Sequence, residues 1–293
     1  MIKKTLILIL IVTGLFSCTN NEIKSDAYGN FEAIEIYVSS EVNGRAVNLF
    51  FDEGDSFAKN AVLFKIDSTN FILQKKQLLA KKGAAVKNIK QAELSVDVLK
   101  TQMKVLKKEY NRIEKMLKQQ SATQKQFDDI DGQVKILNSR IKSAEAQVQS
   151  AKSELMVLDA QIDIVNDQIS KCTVKAPVGG TVLQKYSETG ELIIAGKPVY
   201  KIADLTNIYL RAYISGSQLS QIKIGQKVNV LFDKDKKTNQ TVQGVISWVS
   251  STAEFTPKII QTKDERVDLV YAIKIKVKNN GAIKIGMPGE VNF

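Results

Sequence analysis

Apolar residues in the middle of the chain recur three and four positions apart. From Phe127 they run through Ile130, Val134, Leu137 and Ile141 and on to Ile162, Val165 and Ile169 without a miss. A repeat kept up this long is a heptad seam and predicts a coiled-coil helix rather than a short globular one. A second seam reads backwards from Leu117 through Ile113, Tyr110, Leu106, Met103, Leu99, Val96 and Ile89 to Ala85, and weakens at Lys82 and Lys75. No proline precedes Pro177, so nothing between Asp67 and Lys171 forbids long helices. The polar stretch KQQSATQKQF between the seams holds a T-x-x-Q capping box at Thr123 and Gln126, which predicts a new helix start there. Two seams joined by a few residues bury their stripes by folding back as an antiparallel hairpin. Each arm of roughly 45 residues then spans about 65 to 70 Å.

Outside the seams the period changes to two, and the chain repeats itself. An offset of 136 residues carries Gly44 onto Gly180, Gly54 onto Gly190, Lys65 onto Lys201 and Ile66 onto Ile202, with no gap. The four glycines are expected at tight turns that need positive φ. Val42 and Val178, and Val47 and Leu183, are expected to face inward. Each copy is thus half of one small β-domain, and the hairpin is an insertion between the halves. Beyond Ile202, the segments IYLRAYISG, QKVNVLF, TVQGVISWV and LVYAIKIKV alternate and predict a small antiparallel β-barrel.

Charge sharpens the picture of the hairpin. Of the formal net +11, residues 71–126 hold fourteen Lys and Arg against four Asp and Glu, and residues 127–170 hold four against eight. Opposite signs favour pairing of the arms. A basic helix face of this kind is expected to be solvated, and no nucleic-acid partner is expected. The chain has no histidine, which removes Ser-His-Asp and Cys-His catalysis and the commonest metal ligand together. No phosphate-cradling loop is present, so the expectation is a protein that is not an enzyme and carries no cofactor.

At the N-terminus, Lys3 and Lys4 precede an apolar run from Leu6 to Val12, the pattern of a secretory signal. Leu15, Phe16, Ser17 and Cys18 resemble a bacterial lipobox, which implies lipidation at Cys18. An ordinary cleaved signal and an uncleaved anchor are the alternatives. Cys172 is then the one cysteine left in the body of the chain, so no intramolecular disulfide is expected.

The motifs APVGGTV and ETGELI resemble the second half of a biotinyl/lipoyl-like domain. In carrier proteins the turn between the halves presents a modified lysine. Here about a hundred residues of hairpin replace that turn, which disfavours a carrier. A lipoyl-like domain split by a helical hairpin and followed by a β-region is similar to the periplasmic adaptor family, the membrane fusion or HlyD-like proteins. That resemblance implies an α+β, elongated multidomain fold: a split lipoyl/biotinyl-like β-domain with an inserted long antiparallel coiled-coil hairpin, followed by a small antiparallel β-barrel. The expected boundaries are a signal peptide with lipobox cysteine over 1–18, a linker over 19–30 and a first lipoyl-like half over 31–67. The hairpin follows over 68–171 with its tip near 118–124, then the second half over 172–206 and the barrel over 207–293.

The resemblance also implies partners. Adaptors that dock on an outer-membrane channel carry an Arg, a Leu four residues on and a Ser seven later, and Arg112, Met116 and Thr123 stand at those spacings, with Leu117 beside Met116. The implied role links an inner-membrane transporter to an outer-membrane channel, from a periplasmic position anchored by lipid to the inner membrane of a Gram-negative cell. Copies are expected to form a homo-oligomeric ring. The segment AEFTPKIIQTKDERVDLVYAIKIKVKN looks like adaptors paired with ABC transporters, and the expected lack of a further membrane-proximal domain points the same way. The alternatives are an envelope-tethering lipoprotein without a transport role and a biotinyl/lipoyl carrier subunit.

Overall fold

The computed structural model describes residues 25–233, 238–255 and 269–293. Cys18 and the whole signal segment lie outside the described residues, as does much of the AEFTPKIIQTKDERVDLVYAIKIKVKN segment. In chain order the elements are β1 (Ala27–Glu32), β2 (Glu35–Ser39), β3 (Gly44–Leu49), β4 (Ser56–Phe57), β5 (Val62–Ile66), α1 (Thr69–Lys118) and α2 (Gln124–Lys171). There follow β6 (Thr173–Lys175), β7 (Gly180–Lys185), β8 (Leu192–Ile193), β9 (Pro198–Ala203) and β10 (Asn207–Ser215). The chain closes with β11 (Lys227–Asp233), β12 (Asn239–Val249), β13 (Glu254–Phe255), β14 (Leu269–Lys278) and β15 (Pro288–Asn292). These fall into two compact units. One comprises Tyr37–Lys201, and the other combines the described residues up to Ile36 with Ile202–Phe293.

The offset of 136 residues that relates the two sequence copies also relates their strands. It carries β3 onto β7, β4 onto β8 and β5 onto the first five residues of β9, and it places β6 over the end of β2. Two four-stranded sheets result, β2-β9-β7-β4 and β6-β5-β3-β8, and each contains two strands from either copy. Equivalent backbone bonds recur: Gly54 N–H donates to the Val182 carbonyl and Gly190 N–H to the Ala46 carbonyl, both at 2.9 Å. Phe64 and Tyr200, which are equivalent positions, are both fully buried and meet with ring centroids 6.0 Å apart. The two copies are therefore halves of one core about a pseudo-twofold axis.

Three sequence expectations are corrected in this core. Gly54 and Gly190 do occupy turns, with φ of 93° and 94°, but Gly44 and Gly180 are absent from the positive-φ positions and open β3 and β7 instead. Gly44 is small for another reason: a Cβ there would stand 2.5 Å from Ile66 Cγ2. Val47 does not face inward. It is 47% exposed, because the pairing of β3 with β5 slips between Ala46 and Asn48, and this bulge leaves Ala46 as the buried residue. Its counterpart Val182, and not Leu183, is buried in the second half.

The second unit is an antiparallel barrel. Its sheet runs β10-β1-β15-β11-β12-β14-β13, and pairing of β10 with β14 closes six strands into a ring. Alternate residues point inward, as in Ile208, Leu210, Ala212 and Ile214 of β10 against Ile273, Ile275 and Val277 of β14. Closure depends on β1, which pairs with β10 on one side and β15 on the other. Residues 27–32 therefore belong to the barrel, and not to a linker and the start of the lipoyl-like half as the sequence suggests. The inward positions of β1 are Ala27, Gly29 and Phe31, and the missing side chain at Gly29 hides the alternation. A Cβ at Gly29 would collide with the Arg211 carbonyl oxygen.

Candidate docking site at the hairpin tip

The hairpin is inserted where the two β-halves would otherwise join. Ile66 N–H donates to the Cys172 carbonyl at 2.8 Å, which ties the two roots together. At the start of α1, Asp67 accepts from Thr69 N–H at 2.9 Å and from Thr69 Oγ1 at 2.6 Å, and these bonds hold its carboxyl below the usual carboxylate range. Cys172 ends α2, 2% exposed, and burial raises its thiol pKa.

Along the arms the predicted seam closes. Leu78 packs with Ile162 and Val165, and Met103 packs with Leu137 and Ile141. The weakening at Lys82 is met by an ion pair across the arms to Asp159, and Lys100–Glu145 and Lys152–Glu93 add two more. All six side chains are well exposed, so these pairs select partner and level more than they add stability.

Toward the tip the last aromatic contact is Tyr110 against Phe127, with ring centroids 5.3 Å apart. Beyond it α1 ends in a Schellman turn. Gln120 takes the left-handed conformation at φ 58°, its N–H donates to the Leu117 carbonyl, and Ser121 N–H donates to the Met116 carbonyl at 2.8 Å. Thr123 then caps α2 in the box its spacing predicts: Gln126 N–H donates to Thr123 Oγ1, and Thr123 N–H donates to Gln126 Oε1 at 2.8 Å. The turn from Gln119 to Gln124 contains no charged residue.

The four residues singled out for docking are placed as follows. Met116 is 38% exposed, whereas Leu117 is half-buried, so Met116 is the more exposed apolar side chain of the two. Thr123 is exposed with its hydroxyl engaged in the cap. Arg112 lies about 9 Å below the end of α1. It is ion-paired to Glu109 at 2.6 Å, yet its side chain stays 69% exposed. Lys118 pairs with Glu114, while Lys115 and Lys125 have no ion-pair partner among the described residues. Two features escaped the sequence: the contact of Tyr110 with Phe127, which show there only as seam positions on separate arms, and the left-handed Gln120, which leaves no signal because glycine or asparagine usually fills that place. The glycines 44, 54, 180 and 190 all sit in the β-domain at the other end of the helices and form no part of the tip.

A split β-domain of two interlocked halves around a helical hairpin can now be compared with known proteins. The model of the RND MFP barrel-sandwich hybrid domain matches residues 35–205, more than half of the chain. The chain belongs to the membrane fusion protein family. The LcnD-like C-terminal domain model matches residues 204–293 of this membrane fusion protein. The membrane protein YbhG of Salmonella gallinarum is 30% identical over 298 residues, which cover 91% of this chain and 87% of that protein. Among solved structures, MacA from Actinobacillus actinomycetemcomitans aligns with a TM-score of 0.61 at 21% identity, over 90% of this chain and 76% of that one. The periplasmic adaptor protein EmrA aligns with a TM-score of 0.50 at 19% identity, over 92% and 97%. At these identities the structural likeness is one of fold. Membrane fusion proteins are membrane-associated adaptors. No helix among the described residues of this one is long and apolar enough to cross a membrane.

Proposed function

We propose that this membrane fusion protein is the adaptor of a tripartite efflux or secretion system, held to the inner membrane by lipid on Cys18 and working as a ring of several copies. Its role is mechanical and not catalytic. The observation that carries the reading is the hairpin itself: two helices of 50 and 48 residues, about 72 to 75 Å long. They end in a rigidly capped, uncharged turn with Met116 exposed beside it. Most of a rod this long lies beyond reach of the β-core from which it springs, so its purpose lies at its far end.

In this reading the tip enters a groove at the mouth of an outer-membrane channel. Met116 supplies apolar contact, Thr123 and the turn amides supply hydrogen bonds, and Arg112 supplies a charge that an acidic channel residue can take over from Glu109. The barrel meets the inner-membrane transporter. An ABC-type transporter is favoured by the resemblance of the segment from Ala253 to Asn279, while the matched domain model carries an RND name. Co-purification of tagged protein from native membranes decides between the two, and an ABC ATPase subunit in the eluate is the expected result. Arg112→Glu is expected to abolish export while the purified protein keeps its helical content. Full export by that variant would remove Arg112 from the docking site.

A further inference from the structure

The barrel unit contains one short run twice. Ile222, Lys223, Ile224 and Gly225 lead into β11, and Ile283, Lys284, Ile285 and Gly286 lead into β15. Both runs make the same tight turn. The first isoleucine is buried, the glycine takes a positive φ of 89° or 84°, and the residue after it donates its N–H to the lysine carbonyl, at 3.1 Å and 3.3 Å. Such a turn needs glycine at its third position and asks little of the residue before it. That residue is isoleucine in both, but the two are not treated alike. Ile285 is 37% exposed, whereas Ile224 is 69% exposed, more than any other large apolar side chain described in this unit.

The Ile224 turn is held firmly. Gly225 N–H donates to the Ile246 carbonyl at 2.8 Å, Ile246 N–H to the Gln226 carbonyl at 3.0 Å and Lys223 N–H to Gln226 Oε1 at 3.1 Å. Ile224 is therefore presented already ordered, which lowers the cost of any contact it makes. Lys223 and Lys227 flank it, both exposed and neither ion-paired among the described residues. The two turns lie at opposite ends of the barrel, because β11 and β15 are antiparallel. The Ile224 end is the one where β1 begins, as the pairings of Asn229 with Asn292 and of Ala27 with Val291 show. Ser25, just before β1, is seven residues from Cys18. Seven residues span at most about 25 Å even when fully extended. Lipid on Cys18 thus keeps this end of the barrel close to the bilayer.

We propose that this turn stands on the inner membrane itself. Ile224 enters the boundary between headgroups and acyl chains, and Lys223 and Lys227 meet the phosphates of anionic phospholipid. The proposal rests on the reading that Cys18 carries the lipid anchor. A bilayer is the occupant because a lone apolar side chain between two unpaired cations matches a surface that is anionic above and apolar beneath. The anchor also brings that surface within reach of this turn. One isoleucine and two lysines would hold a free protein only weakly, but on an anchored one they act at high effective concentration. Their effect is orientation more than attachment: they stand the barrel on its Ile224 end.

Quenching by lipid tests this directly. Full-length protein carrying Cys172→Ser is purified from membranes and reconstituted into vesicles of phosphatidylethanolamine and phosphatidylglycerol. Forms with Ile224→Cys or Ile285→Cys are labelled with an environment-sensitive fluorophore, and spin-labelled phospholipid serves as the quencher. Ile285 is the control, the same turn at the other end of the barrel. The parent form, with neither new cysteine, takes up no label where Cys18 is acylated, which checks the anchor separately. Quenching at 224 is expected to exceed that at 285 about three-fold or more. Lys223→Glu combined with Lys227→Glu lowers it at least about two-fold, as do vesicles of phosphatidylcholine alone. Equal quenching at the two positions would overturn the proposal. So would an unquenched probe at 224 in protein whose Cys18 takes no label, and a photoprobe at 224 that captures an inner-membrane protein in cells would then assign the turn to a protein partner. Label on Cys18 of the parent would defeat the anchor reading instead, and quenching confined to 224 would even then keep the lipid contact.

Discussion

Gly29 and Gly54 are glycines for reasons that have nothing in common. Gly29 sits where β1 passes so close to β10 that a Cβ would strike the Arg211 carbonyl oxygen. Gly54 has open space around it but a φ of 93°. Gly29→Ala is therefore expected to destabilise the barrel by about 3 kcal/mol or more, the upper end of overpacking costs, because backbone and not a flexible side chain must move. Gly54→Ala is expected to cost only about 1 kcal/mol, the usual conformational penalty of the left-handed region. Urea melts of the two variants check the ranking, and equal losses would contradict it. At the tip, Thr123→Ala is expected to remove the side-chain half of the capping box, the bond from Gln126 N–H to the hydroxyl, at a cost of about 1 kcal/mol, while the backbone N–H at 123 can still donate to Gln126. Amide exchange should speed up at Gln124–Phe127 and stay unchanged in the barrel. Neither glycine role was separable in the sequence, where both residues merely interrupt a strand pattern. One depends on a strand about 180 residues away, the other on local turn geometry.

At the scale of the elements, the hairpin was the most legible part of the chain. Its stabilising contacts repeat every three and four residues, and each arm carries its own evidence. The barrel strand β1 was not legible, because its two neighbours follow the hairpin and its central inward position has no side chain. The tip motif was legible as spacing, but the spacing did not tell that Met116 is presented while Leu117 packs. A seam residue and an outer residue on the same turn now make a sharp comparison. Leu137→Ala is expected to cost about 2 to 4 kcal/mol by opening a cavity against Met103 and Ile141. Ile136→Ala, at a residue 58% exposed, is expected to change the stability of the chain by less than about 0.5 kcal/mol. At the root of α1, the Asp67 carboxyl is held below its ordinary value of 3.8 by Thr69. A depressed carboxyl stabilises the fold above that value and loses its effect as pH falls through the folded pKa. Asp67→Asn should accordingly show at neutral pH the frayed first turn that the parent shows only in acid, as read by exchange at Thr69–Ile72.

For the whole molecule, the pseudo-twofold core explains why the two sequence copies can stand so far apart. Each β-sheet takes strands from both, so neither half has a core alone, and the hairpin brings them together by zipping its own seam. Fragments 25–120 and 121–293 are expected to fold when co-expressed and to remain unfolded separately; a folded first fragment on its own would refute the shared core. Removing the level heptads 97–103 and 142–148 shortens the rod by about 10 Å. That deletion should leave both β-units intact by circular dichroism and yet end export, since it acts on reach alone. The account's central claim is that the tip touches an outer-membrane channel, and in-cell photo-crosslinking from a probe at Gln120 tests it most directly. The predicted result is a crosslinked outer-membrane channel protein that disappears with Arg112→Glu. Capture of inner-membrane proteins alone, or of nothing at native expression, would contradict the claim and make the hairpin a tether.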